Sequence, residues 1–202
     1  MKLVLIRHGN TFAASDKVVW VGARSDLPLV QKGKEQAEAV GRALADSGLK
    51  PSAIYCGPLK RTVETADIAM KTAGWTGIEV TINDALREID YGLWEARSND
   101  DIRKDHGDDA IDGWQKSSIW PEGFGWSPDP ATILANWNAM IAEIEAAHGP
   151  DATAIIVTSN GILRIVSPHY GIPASQAKVG TGCMCLIEEG KVRIWNARDL
   201  KG

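Results

Sequence analysis

The sequence is poor in the features that mark several large protein classes. It has only three cysteines, Cys56, Cys183 and Cys185, among 202 residues, and so sparse and odd a set is not a disulfide framework. Cys183 and Cys185 alternate around Met184 in a strand-like run with no histidine or second cysteine pair beside them, so buried thiols are expected there rather than metal ligands. Long apolar runs are missing too. In the N-terminal stretch MKLVLIRHG, four consecutive apolar residues precede Arg7, fewer than the core of a signal peptide needs. No run approaches the roughly 18 apolar residues of a transmembrane helix. A cytoplasmic location is the resulting expectation. Basic runs are absent and the formal net charge is −4, which disfavours nucleic acid and anionic membranes as partners while leaving room for a small local basic pocket. No carboxylate cluster suits Mg²⁺, so neither a metal nor another cofactor is expected.

What is present is an ordinary globular composition, 44% hydrophobic and 24% charged, in a chain long enough to bury its own core. Short β-like runs occur at 2–6, 53–56, 78–82, 153–158, 183–187 and 191–195. Helical patterns at 31–47, 59–73 and 131–148 fall between them; the first places Ala37, Val40 and Leu44 on one face ahead of Gly48. Alternation of this kind predicts an α/β sheet with helices on both faces, closed by a hairpin with Glu189-Gly190 in its turn. A single domain over 1–202 is expected. The segment 95–130 departs from the pattern. It carries nine acidic and four basic side chains, a difference of −5, and reads as an inserted lid or binding loop. Its tryptophans, Trp114, Trp120 and Trp126, are expected to pack onto the domain as anchors or else to line a pocket.

Ligands of open α/β sheets bind beyond the carboxyl ends of the strands, so the residues that follow each strand are the candidates. These are Arg7, His8, Asn10 and Thr11 after the first, Arg61 with Thr62 and Thr65 after the second, Glu88 after the third, and Ser159, Asn160 and Gly161 after the fourth. Each alone has an ordinary structural explanation. Together they suit phosphoryl transfer. Two guanidiniums can hold phosphoryl oxygens. A neutral imidazole can attack phosphorus if its other nitrogen is tied to a carbonyl. A buried carboxylic acid can protonate the leaving oxygen.

Four segments in order, LVLIRHGNT, VGARSDLPLVQKGKEQA, IYCGPLKRTVETA and ALREIDYGLWEA, resemble the histidine phosphatase superfamily, its phosphoglycerate-mutase-like group. The resemblance implies a three-layer α/β/α sandwich with a mostly parallel sheet. It implies that His8 is a nucleophile that becomes phosphohistidine, that Arg7 and Arg61 bind phosphate oxygens, and that Glu88 is the proton donor. Asn10 and Thr11 would complete the pocket rim. The partner implied is a small phosphorylated molecule, with room for a homodimer.

The match breaks at one place that matters. Aligned through Arg164, the second catalytic histidine of the family's His-Gly-x-x-x-Arg turn is Ser159 here. Val30, Gly57 and Ala96 are smaller departures, from Thr, Ser and Gly respectively. His169, ten residues on, would lie roughly 15 Å away along a helix rising about 1.5 Å per residue. His148 precedes the strand, and His106 could reach the site only by a swing of the insertion. Ser159, Asn160 and Gly161 are therefore expected to meet the phosphate themselves, through a hydroxyl that could also cap the helix and through backbone amides. With His8, both arginines and Glu88 retained, a metal-independent phosphatase is favoured over a catalytically silent phosphate-binding module. A sugar-phosphate mutase fits less well, because acidic 95–130 is poor company for a polyanion; a monophosphate with an apolar or uncharged body suits it better.

Overall fold

A computed structural model of the chain describes residues 1–201. Six strands form one sheet: β1 (Lys2–Arg7), β2 (Ala53–Cys56), β3 (Val80–Ile82), β4 (Thr153–Thr158), β5 (Met184–Glu188) and β6 (Lys191–Ala197). Their spatial order is β3-β2-β4-β1-β5-β6. The first four run parallel, and β5 and β6 are antiparallel additions at one side. The β5–β6 turn is Glu189-Gly190, both with positive φ, the backbone that a tight two-residue hairpin requires. The predicted strand at 78–82 is shorter than its apolar pattern suggested, and the one at 183–187 begins one residue later, leaving Cys183 just outside it.

Strand alternation divides the core into two. Val4, Ile6, Ile54, Cys56, Ile155, Val157 and Met184 point to one face. There they meet α1 (Gln31–Asp46) and α2 (Lys60–Thr72), whose inward stripes include Val40, Leu44, Ala66 and Met70. Leu3, Leu5, Ala154, Ile156, Cys185 and Ile187 point to the other. That face is covered by α5 (Pro130–His148) and α6 (Asn160–Val166) and by the segment between β3 and α5. The result is the three-layer α/β/α sandwich with a mostly parallel sheet. All three cysteines are free and buried, and no helix of the described residues is long and apolar enough to cross a membrane.

Residues 95–130 are not a structureless loop. They contain α3 (Asn99–His106) and α4 (Asp109–Ser117). A capping box opens α3: Ser98 Oγ accepts from the Asp101 amide while the Asp101 carboxylate accepts from the Ser98 amide. Five Asp residues in these two helices hid an apolar stripe of only three side chains, Ile102, Ile111 and Trp114, all buried. Trp114 and Trp126 sit inside the core, with Trp120 packed against it, and edge-to-face contacts link them at centroid distances of 4.9 to 6.3 Å. Arg164 ties this segment to α6. Buried itself, it donates to the carbonyls of Trp114 and Gln115 and to Ser118 Oγ at 2.8 to 3.2 Å, and its guanidinium lies over the Trp114 ring.

Two departures noted in the sequence find their local reasons. A Cβ on Gly57 would lie 2.6 Å from the Leu86 carbonyl oxygen, so a larger residue there requires β2 and the Leu86 turn to separate. Ala96 is left-handed, with φ 62°, a conformation that costs an L-residue about 1–2 kcal/mol and glycine almost nothing. Ala96→Gly is accordingly expected to stabilise the fold by up to about 1 kcal/mol, the relief of strain being offset in part by greater freedom of the unfolded chain. Urea unfolding of the two proteins checks this; a clear loss of stability in the variant would show that the left-handed backbone is unstrained.

Candidate active site

The loops at the carboxyl ends of β1, β2 and β4 border one cleft of about 850 Å³. Arg7, His8, Asn10, Thr11, Arg61, Glu88 and Asn160 all line it. Seven residues nominated from four separate stretches of sequence are thereby brought together.

His8 lies at the floor, directly after β1, and its backbone amide is held by the Thr158 carbonyl of β4 at 3.1 Å. Its Nδ1 is 2.7 Å from the Gly9 carbonyl oxygen. A carbonyl can only accept, so the proton belongs on Nδ1 and the lone pair on Nε2. Burial, then Arg61 and Arg7, push the His8 pKa well below 6.5, against a smaller opposing pull from the Gly9 carbonyl. The imidazole is neutral at pH 7.

Arg61 is fully buried near the start of α2. Its two terminal nitrogens donate to the carbonyls of Ser25 at 2.7 Å and Gly22 at 3.1 Å. The Gly22 turn is braced in its turn by Glu95, whose carboxylate accepts from the amides of Gly22 and Tyr91. Arg7 donates to the Val179 carbonyl at 2.6 Å. The Nε–H groups of both arginines are buried without a protein acceptor. Burial lowers both guanidinium pKa values and Glu88 raises them; an arginine stays charged through such shifts. The site therefore offers fixed positive charge with donors to spare.

Glu88 is buried, and desolvation pushes its carboxyl above the usual value of 4.5 despite Arg61, two amide hydrogen bonds and Arg7 pulling the other way. The amides are those of Ile89 at 3.0 Å and Gly161 at 3.2 Å. This corrects part of the expectation for the β4 turn: the Gly161 amide is engaged by Glu88. A Cβ at 161 would fall 2.3 Å from Glu88 Oε1 and 2.8 Å from the Tyr91 hydroxyl, so glycine is needed there for the acid to dock. Ser159 is fully buried and is not among the residues that line the cleft. Its hydroxyl makes no hydrogen bond and does not cap α6. Asn160 reaches the cleft, with its Oδ1 accepting from the Val179 amide at 3.0 Å.

At the rim, Thr181 Oγ1 donates to Asn10 Oδ1 at 2.5 Å, and Gln36 joins both residues by accepting from the Asn10 amide and donating to Thr181. Thr62 and Thr65 serve the backbone instead: Thr62 Oγ1 donates to Gly57 and Leu59 carbonyls, and Thr65 Oγ1 accepts from the Gly9 amide while donating to the Arg61 carbonyl. His106, His148 and His169 are exposed and none borders the cleft, so His8 is the only histidine among its lining residues. Among the described residues no group of three or more His, Cys, Asp or Glu side chains could hold a metal ion. Tyr91 was overlooked in the sequence. It is buried beside Glu88 and lines the cleft, but within REIDYG a tyrosine reads as any core aromatic.

Residues 3–190 match the family profile described as Histidine phosphatase superfamily (branch 1). Among curated proteins, the chain is 34% identical over 121 residues to the 2,3-bisphosphoglycerate-dependent phosphoglycerate mutase of Thermobifida fusca (strain YX), covering 59% of this chain and 47% of that one. It is 29% identical over 170 residues to the protein of the same name from Methylorubrum extorquens (strain PA1), covering 79% of each. The chain spans about half the length of the first-ranked of these relatives. Among solved structures, a mycobacterial glucosyl-3-phosphoglycerate phosphatase superposes with a TM-score of 0.79 at 22% identity, covering 97% of this chain and 98% of that one. The alpha-ribazole phosphatase from Shigella flexneri superposes with a TM-score of 0.72 at 25% identity, covering 100% and 99%.

The raised Glu88 pKa has a thermodynamic sign. The folded protein holds the Glu88 proton more tightly than the unfolded chain does, so the associated stability is present below pH 4.5 and is lost as pH rises through the folded-state value. Glu88→Gln cannot lose it. The stability of the variant relative to the parent is expected to increase with pH across that window, as read by urea unfolding at a series of pH values. A relative stability that falls with pH would mean that the two arginines outweigh burial and hold Glu88 ionised.

Proposed function

We propose that this chain, which belongs to the histidine phosphatase superfamily, hydrolyses small phosphomonoesters through a phosphohistidine on His8. The observation that carries the reading is the state of that imidazole: neutral, Nδ1–H tied to the Gly9 carbonyl, and buried beside two guanidiniums with uncommitted Nε–H donors.

The steps follow from the residues. Arg7 and Arg61 neutralise and orient the phosphoryl oxygens, and their charge counts for more in a buried site than in water. The Nε2 lone pair of His8 attacks phosphorus as the ester P–O bond breaks. Glu88 gives its proton to the departing oxygen, and the bound phosphoryl charge lifts its pKa further while that proton is needed. The alcohol leaves. Glu88, now a carboxylate, takes a proton from water as that water attacks the phosphohistidine, which releases inorganic phosphate and restores the neutral imidazole.

Ser159 stands where the family's motif places a second histidine. The donor missing from that position weakens stabilisation of the transferring group; the loss of one preorganised donor costs roughly 10²–10³ in rate elsewhere. A second reading, a phosphate-binding module with no turnover, draws on the absence of any histidine but His8 from the cleft. Retention of His8, both arginines and Glu88 in working geometry favours hydrolysis. Hydrolysis is also favoured over mutase chemistry, since the lysines and aspartates that line the cleft beyond the two arginines are all exposed, and none of them forms a buried second phosphate site.

With EDTA present, the protein is expected to turn over both nitrophenyl phosphate and an alkyl phosphate, and His8→Ala to turn over neither. Glu88→Gln should lose roughly 10²–10⁴ in rate on the alkyl ester. It should lose much less on the nitrophenyl ester, whose leaving group departs as an anion without a proton. Failure of the parent protein to release phosphate from either ester would overturn the reading.

A further inference from the structure

A phosphoryl group fills only a small part of a cleft of about 850 Å³, so the remainder must receive the body of the ester. One wall of that space is formed by a single segment, residues 11–21, which contributes Phe12, Val18, Val19, Trp20 and Val21. The segment is fixed at both ends. Asn10 is bonded to Gln36 and Thr181. At Trp20, the backbone pairs with Ala96 and Arg97, the indole N–H donates to Asn99 Oδ1 at 2.8 Å, and the ring packs edge-on against Tyr91 and Trp94 at about 4.9 Å. Lys17 is bonded to Asp101. Between these anchors Val18 is 65% exposed, more than any other of the large exposed hydrophobic residues. An apolar side chain held out over a cleft by a fixed segment gains only when something apolar covers it.

We infer that this segment selects phosphomonoesters whose alcohol is apolar and larger than glycerol, an alkyl or aryl body lying against Val18, Val19 and the exposed part of Trp20. The inference rests on the hydrolysis proposed above and concerns the substrate class of that same site. The charged groups on the cleft argue less strongly for an anionic body. Lys32 and Lys178 are exposed, so water already solvates their charge and an ion pair there adds little. Asp16 and Asp100 at the same opening are exposed too, so the opposed, solvated charges leave little net preference for an anionic body. Trp114 contributes little contact surface because it is 1% exposed; the insertion's tryptophans are anchors in or against the core, and the apolar wall comes from 11–21.

The test compares kcat/KM for phenylpropyl phosphate with that for glycerol phosphate and for phosphoglycerate, all alkyl esters of similar leaving-group chemistry. Covering the wall with a phenylpropyl body should favour that ester by about tenfold or more, since each buried methylene alone is worth roughly fourfold. Val18→Asp should cut the ratio by about threefold or more. A ratio is unaffected by loss of folded protein, and an exposed position tolerates the change. A preference for phosphoglycerate, or equal rates on all three esters, would overturn the inference and leave hydrolysis standing. No turnover of any ester would overturn hydrolysis and this inference with it. A ratio unchanged by Val18→Asp would also overturn the assignment of selectivity to this wall.

Discussion

The 2.7 Å hydrogen bond from His8 Nδ1–H to the Gly9 carbonyl decides which imidazole nitrogen keeps its lone pair, and the proposed chemistry rests on that choice. It would not hold if Gly9 could move. The Gly9 amide donates to Thr65 of α2, and its Cα lies so close to α1 that an added Cβ would fall 2.3 Å from the Gly33 carbonyl oxygen. Helix packing on one face of the sheet therefore fixes the orientation of the His8 ring at the sheet's edge. The same burial that orients the ring keeps it neutral, and the nearby Arg61 and Arg7 guanidiniums reinforce that neutrality.

The acid depends on the opposite layer. Glu88 reaches the cleft by docking its carboxylate on the Gly161 amide at the start of α6, and α6 is locked to the insertion through Arg164. His8 and Glu88 are thus held by different faces of the sheet and meet where β1, β2 and β4 end. Their pKa values are displaced toward each other, His8 downward and Glu88 upward, so that a neutral imidazole and a protonated carboxyl can coexist. An imidazole and a carboxyl in water would behave otherwise, the carboxyl being ionised at neutral pH; burial is what raises the carboxyl and keeps the imidazole neutral.

The layered α/β fold could be read from the sequence because its signals are local: a short apolar, β-branched run in β4, a helical stripe such as Ala37, Val40 and Leu44, and a stop at Gly48. The convergence of Arg7, His8, Arg61 and Glu88 was legible for a related reason, since parallel strands deliver whatever follows them to one edge. The β4 turn was not. Its Gly161 amide serves a carboxylate 73 residues earlier in the chain, and the burial of Ser159 depends on how α6 seats, neither of which leaves a local trace. The helices of 95–130 were obscured by their charge, with Ile102 and Ile111 carrying too few apolar contacts to show a period. The wall built by 11–21 escaped notice because an exposed valine in a loop means little until a cleft is found beside it.

In the proposed reaction phosphorus is transferred to His8 before it reaches water. Rapid quenching under alkaline conditions during turnover of an alkyl phosphate, followed by mass spectrometry of the peptide that contains residues 7–10, tests it most directly. One added phosphoryl group is expected on His8, present during turnover and absent in His8→Ala. Phosphate released at the same rate by His8→Ala, or a phosphoryl group found on another residue, would contradict it.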